Sequence, residues 1–166
     1  MKFNLRHLSV LSVTLLFLAT GCQTSSEKNT GNLTETQECF DCDLTGEHFE
    51  GADLSGAKLN GSNLSGVNLK GANLSGAFLD NVNFSNADLR GANLSSSALT
   101  QANLTEANLT GADLTGAFLR GAILTNAKLN NAKLNQADLN TAELEGAELT
   151  GADFKEAIMP DGSLQK

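Results

Sequence analysis

The sequence predicts an all-β fold, a β-helix whose chain turns a corner every five residues. Three observations predict it. Leu or Phe stands at every fifth position from Leu44 to Phe154, 23 positions in unbroken register, 20 of them Leu and three Phe (Phe49, Phe84, Phe154). Two residues before each lies a small residue, Ala in 17 cases, with Cys42, Ser62, Ser97, Val67 and Val82 filling the same phase and Glu47 the one misfit. Two residues after each, Gly appears 13 times, with Asn, Gln, Ser, Thr or Glu elsewhere.

Neither regular element accommodates a period of five. On an α-helix a five-residue step turns about 140°, so the leucines would spiral round every face. On a flat strand an odd step flips the side chain to the opposite face each time. Both arrangements expose half the leucines. If the chain instead turns a corner within each pentapeptide, every Leu points inward, and so does the small residue two places earlier, as strand alternation requires. The Gly- and Asn-rich phase supplies the backbone freedom of the corners.

Composition agrees. The 166 residues include no Trp, no Tyr and one Pro, a palette too simple for an irregular core and suited to one small layer repeated many times. The formal net charge is -8, and loss of a leader carrying Lys2 and Arg6 would make the chain more acidic still. An acidic surface disfavours direct contact with nucleic acid.

Stretches such as Ala52-Asp53-Leu54-Ser55-Gly56 and Ala112-Asp113-Leu114-Thr115-Gly116 match the pattern A-[ND]-L-x-x. On these units the run resembles the pentapeptide-repeat family over roughly residues 39–159. The resemblance implies a right-handed quadrilateral parallel β-helix, four pentapeptides per coil, with just under six coils over residues 38–159. At a β spacing of about 4.8 Å per coil the rod would be roughly 28 Å long. The register runs through Ile158-Met159 and stops at Pro160-Asp161-Gly162, where proline removes a donor, leaving residues 160–166 as a C-terminal tail.

The N-terminus reads as a targeting segment. Lys2, Arg6 and His7 precede an apolar run from Leu8 to Ala19 that is short for a membrane span. It ends in Leu18-Ala19-Thr20-Gly21-Cys22, which resembles the lipobox of bacterial lipoproteins. That resemblance implies a signal peptide over residues 1–21, lipid on Cys22, and a cell-envelope protein whose membrane partner is reached through its acyl chains. Gln23 after the cysteine implies the outer membrane if the cell is Gram-negative. The polar, aperiodic stretch up to residue 37 reads as a flexible tether.

Three features are candidates for function. Cys39 falls on the Leu phase and Cys42 on the Ala phase, so both should point inward. Outside the cytosol the pair could form a disulfide that staples this end; as two reduced thiols they would also pack well in a core. The position before the Leu should face solvent, yet it holds Phe78, Ala98, Phe118, Ile123 and Ile158. With four pentapeptides per coil, Phe78, Ala98 and Phe118 form one column, Ile158 lies two coils further along it, and Ile123 lies on the neighbouring side. An aligned apolar stripe on a polar rod suggests a surface for an unidentified protein partner or for a homodimer. Finally, Ser55, Ser75, Ser95 and Thr115 should stack, as should Thr45, Ser65, Ser85, Thr105 and Thr125. Such hydroxyl ladders could bind a flat polar surface, or simply solvate the sheet.

The search for chemistry yields no catalytic residue, no metal site and no cofactor. His48 is the one histidine after the leader, the acids are scattered singly, and a Leu/Ala interior leaves no cavity. A non-enzymatic structural or protein-binding module of the envelope is the reading that follows. Its alternative comes from the family, some of whose members resemble B-DNA in shape and charge and protect DNA gyrase from quinolones; the leader argues against it.

Overall fold

The computed structural model describes residues 37–166. The expected signal peptide, Cys22 and nearly all of the tether lie outside the described residues. Gln37 already belongs to the ladder, since its carbonyl accepts from the Lys58 N–H at 2.8 Å.

Every parallel bridge joins residues 20 apart, from Glu38–Lys58 to Asp138–Ile158. Four pentapeptides therefore complete one circuit, and residues 20 apart lie on the same side of successive levels. Each side supplies only one bridged residue before the chain turns. The strands expected from the sequence are thus isolated bridges between corners rather than extended segments. Three amides per pentapeptide tie the levels together: the Asn103 N–H donates to Val82 O at 2.9 Å, the Leu104 N–H to Ile123 O at 2.7 Å, and the Glu106 N–H to Thr125 O at 3.0 Å.

Each corner is a four-residue turn closed from the Ala phase back to the Leu phase, as where the Ala107 N–H donates to Leu104 O at 3.0 Å. Its third residue is left-handed throughout. Gly takes this conformation freely, as at Gly111 (φ 67°), but Asn, Gln, Glu and even Thr141 (φ 59°) are held there too. The Gly-rich phase is thus a backbone requirement.

The position before the Leu explains itself in the same way. Wherever Asp or Asn stands there, its Oδ1 accepts the N–H two residues on, as from Asn63 to Ser65 (3.2 Å), Asn83 to Ser85 (3.1 Å) and Asp113 to Thr115 (3.0 Å). The side chain caps the turn that its own backbone begins. Asn and Asp are therefore the fold's own choice at this phase.

Leu and Ala from all four sides fill the interior. The leucines from Leu59 to Leu139 are fully buried, as is Phe84. Burying each Leu contributes roughly 1.5–3 kcal/mol gross. The other two phenylalanines of this phase, Phe49 and Phe154, lie near the ends, where the core is only partly covered.

The last residues do not trail away. Pro160 still accepts from the Thr141 N–H at 3.0 Å. Beyond it, Asp161-Gly162 reverses the chain, and Ile158 bridges Leu164 in antiparallel sense. The Gln165 N–H donates to Ala157 O at 2.8 Å and the Met159 N–H to Ser163 O at 2.8 Å. A hairpin covers part of the final level.

Candidate binding face

Cys39 and Cys42 both point inward, are each 3% exposed, and are joined as a disulfide with Cα atoms 5.6 Å apart. Beneath them sits Ser62, fully buried on the phase that Ala usually fills. Its hydroxyl accepts from the Cys42 N–H at 3.1 Å and donates to Cys39 O at 2.6 Å. In the following corners the equivalent link is a direct amide-to-carbonyl bond. Here a hydroxyl from the next level is interposed, so Ser62 holds the bridged loop in place.

Phe78, Ala98 and Phe118 are consecutive in one bridged column, followed by Asp138 and Ile158. Phe78 is 47% exposed and Phe118 52%, while Ala98 is half-buried between them. The rings stand two levels apart, about 9.6 Å. Ile158 is 37% exposed but separated from Phe118 by Asp138 and placed beside Leu164. Ile123 is half-buried on the neighbouring side, between Asn103 and Glu143, so it does not join the column.

The charged residues of this side are ordered. Lys58 precedes Phe78 and pairs with Glu38 at 2.7 Å. In the parallel row two residues along, Asp80, Thr100 and Arg120 occupy successive levels, and Arg120 reaches Asp138 at 3.4 Å. No residue from Lys58 to Phe118 in the column is Asp or Asn, so the usual turn cap is missing there. Asp80 substitutes at one level, accepting the Thr100 N–H at 3.0 Å, while Asn60 Nδ2 donates to its other oxygen at 3.2 Å.

The hydroxyl ladders are less available. Thr105 Oγ1 donates to Asn103 Oδ1 at 2.7 Å, and Thr45 turns back to Asp43 in the same way. These hydroxyls serve their own turns. Hydrogen bonds from the Ser55 hydroxyl and amide hold the Asp53 carboxyl below its ordinary range. The Arg90 guanidinium does the same for Asp88, with Nε 2.8 Å from Oδ1. Among the described residues no cluster of three His, Cys, Asp or Glu could hold a metal, and no helix is long and apolar enough to cross a membrane. His48 is exposed on the bridge to Asn68.

Sequence reasoning missed two exposed apolar residues. Phe40 (53% exposed) stands one row across from the column, ahead of Asn60, and Leu164 (62% exposed) belongs to the hairpin. Phe40 was findable: it occupies the phase after the Leu position, where nearly every other residue is polar.

A family model described as pentapeptide repeats matches eight copies, in segments running from residue 39 to residue 161. HetL, a pentapeptide repeat protein involved in heterocyst differentiation regulation from the cyanobacterium Nostoc, is 36% identical, with a TM-score of 0.56. The match covers 77% of this chain and 64% of HetL, so the chain spans less than two thirds of that protein's length. A pentapeptide repeat protein from the Arabidopsis thaliana thylakoid lumen is 33% identical over 60% of this chain and 69% of its own, with a TM-score of 0.55. No curated protein matches. With its repeat matched across more than half of its length, and with structural relatives built as right-handed quadrilateral β-helices, the chain belongs to the pentapeptide-repeat family.

Proposed function

We propose that the protein is a non-enzymatic module of the cell envelope, held to a membrane through lipid on Cys22, that binds a protein partner with the side carrying Phe78, Ala98 and Phe118. One observation carries the binding half of this reading. The column abandons the turn-capping Asn or Asp that the fold prefers and exposes two aligned rings in its place. An exposed, aligned aromatic pair at positions where the fold prefers a capping Asn or Asp gains nothing for the fold, so a contact outside the chain accounts for it best. The anchoring half rests on the Leu18–Cys22 motif alone.

Two measurements test it. Cell fractionation, with mass analysis of the mature N-terminus, should find a diacylated or triacylated Cys22 in membranes and release of the Cys22→Ser chain. A cytosolic, unlipidated protein would discard the envelope reading and bring forward the gyrase-directed alternative. Crosslinking in intact membranes should yield an adduct that disappears in the Phe78→Asn/Phe118→Asn variant. Adducts unchanged by that variant would remove the binding face.

A further inference from the structure

We propose that the occupant of this face is the same face of a second copy, the two rods lying antiparallel about a two-fold axis at the level of Ala98 and Thr100. The proposal rests on the reading of this side as a binding surface and names its partner.

The arrangement of charge on the side carries it. A two-fold axis in the plane of contact, parallel to the bridged residues' chain direction, reverses the order of levels and leaves each row facing itself. Ala98 then meets Ala98 of the second copy, and Phe78 meets Phe118. One level further out, Lys58 meets Asp138, each of which also pairs within its own copy, Lys58 with Glu38 and Asp138 with Arg120. In the adjoining row, Thr100 meets Thr100 and Asp80 meets Arg120. Each charge in these levels faces its opposite, and each ring faces a ring, through the order Lys58, Phe78, Ala98, Phe118, Asp138 that the bridges establish. Phe40 falls opposite Pro160, again apolar against apolar, and Asn60 opposite Asn140. Glu38 opposite Ile158 is the one unlike pair, and Glu38 is already held by Lys58.

Such a surface is self-complementary, as an isologous dimer requires. Opposite charges flanking an apolar centre set the register and reject misaligned encounters. The small Ala98 leaves a hollow between the rings, so facing rings can slide into offset stacks. The parallel alternative fares worse. It crosses the two rows, so that the Asp80 carboxylate lies against the electron-rich face of Phe78 and no acid faces a base.

The contact is narrow. Lys58 to Asp138 spans four level spacings, about 19 Å, on a side one pentapeptide wide. That is well below the roughly 800 Å² per partner of a standard interface. The dimer is therefore expected to dissociate on dilution and to gain from confinement on a surface.

The test uses the full chain with Cys22→Ser, so that an engineered thiol is the one free cysteine beside the Cys39–Cys42 pair. With Ala98→Cys, a short bis-maleimide should give a crosslinked dimer, because position 98 meets itself across faces about 10 Å apart. Lys128→Cys, on another side, should give at least roughly tenfold less at equal concentration. Arg120→Glu should reduce the Ala98→Cys dimer roughly tenfold, and adding Asp80→Lys should restore most of it. If the double variant melts early, Lys58→Glu with Asp138→Lys replaces it. Ala98→Cys dimer no greater than that from Lys128→Cys overturns the proposal. So does an Ala98→Cys chain that, added to detergent-solubilised membranes, is captured only by a different protein in a Phe78- and Phe118-dependent way; that outcome leaves the binding face standing. Loss of both adducts removes face and proposal together.

Discussion

Asp80 reaches forward one level to hold the Thr100 N–H, 3.0 Å from its Oδ1, as Asn130 holds the Thr150 N–H at 3.1 Å; where Asp or Asn precedes the Leu, that bond belongs to the residue two places before the donor. Ala98 has no oxygen to offer, so the level before it supplies one. Asp80→Ala should therefore destabilise by about 1–2 kcal/mol, leaving a half-buried amide without its acceptor. Asp80→Asn keeps the acceptor and should stay near wild type. Chemical denaturation of the two variants separates them; equal losses would mean the carboxylate charge matters, not the bond.

Replacing both rings by the fold's own residue should not harm the rod. Phe78→Asn and Phe118→Asn each restore a turn cap, so the double variant is expected to melt at or above the wild-type temperature, by a few tenths to about 1 kcal/mol per site. A thermal melt checks this. A large loss would show that the rings pack within the chain rather than toward a partner.

The two buried serines should behave differently. Ser62 bridges Cys42 N–H and Cys39 O, so Ser62→Ala should cost about 1–3 kcal/mol. Ser97 Oγ donates at 2.7 Å to Leu94 O, but that carbonyl already accepts the Ser97 amide at 3.2 Å. Ser97→Ala only restores the repeat's usual residue and should lie within about 0.5 kcal/mol of wild type. Similar losses at both sites would refute the bridging role of Ser62.

Thr141 is a β-branched residue held at φ 59°. Thr141→Gly should stabilise by about 0.5–1 kcal/mol, the relief of left-handed strain exceeding the added entropy of the unfolded chain. A lower melting temperature would show that the hydroxyl contributes more than the strain costs.

Acid should weaken the rod. Asp53 and Asp88 are depressed by the Ser55 hydroxyl and by Arg90 respectively. Burial pushes Asp113 up, but the Thr115 hydroxyl and amide and Lys133 outweigh it and leave it low. A carboxylate with a depressed folded pKa stabilises above its unfolded value, and that stability is lost as pH falls through the folded pKa. Stability should therefore hold at neutral pH and decline below about pH 4. Asp53→Asn with Asp113→Asn keeps both turn acceptors without a titrating group, and should flatten the acid limb of melts taken from pH 7 downward. An unchanged limb would place the acid sensitivity elsewhere.

The interior and the corners were legible because each answers to one local rule. Leu at a fixed phase must be inward, and Gly two places on must be left-handed, so the period alone specified a chain that turns every five residues. The Phe78–Phe118 column was legible once the circuit was set at four units. Phe40 was less legible because it stands alone in the row after the Leu, away from the aligned apolar column, and the match of Lys58 with Asp138 emerges only when whole levels are aligned. Ser62 reads as one more small core residue until its hydroxyl is seen between two backbone groups of another level. The reversal after Pro160 was hidden for a different reason: a missing proline donor ends a parallel ladder but says nothing of an antiparallel one.

That reversal has a bearing on how such rods behave in a crowd. A stack of equivalent levels offers, at its last level, the same template that its own first level would fit, and end-to-end addition of further chains would build a fibre. The segment around Leu164 occupies part of that edge and runs in the opposite sense. An incoming parallel level finds part of the amides and carbonyls it needs already taken. The hairpin after Pro160 thus takes up part of the edge along which such a filament would grow.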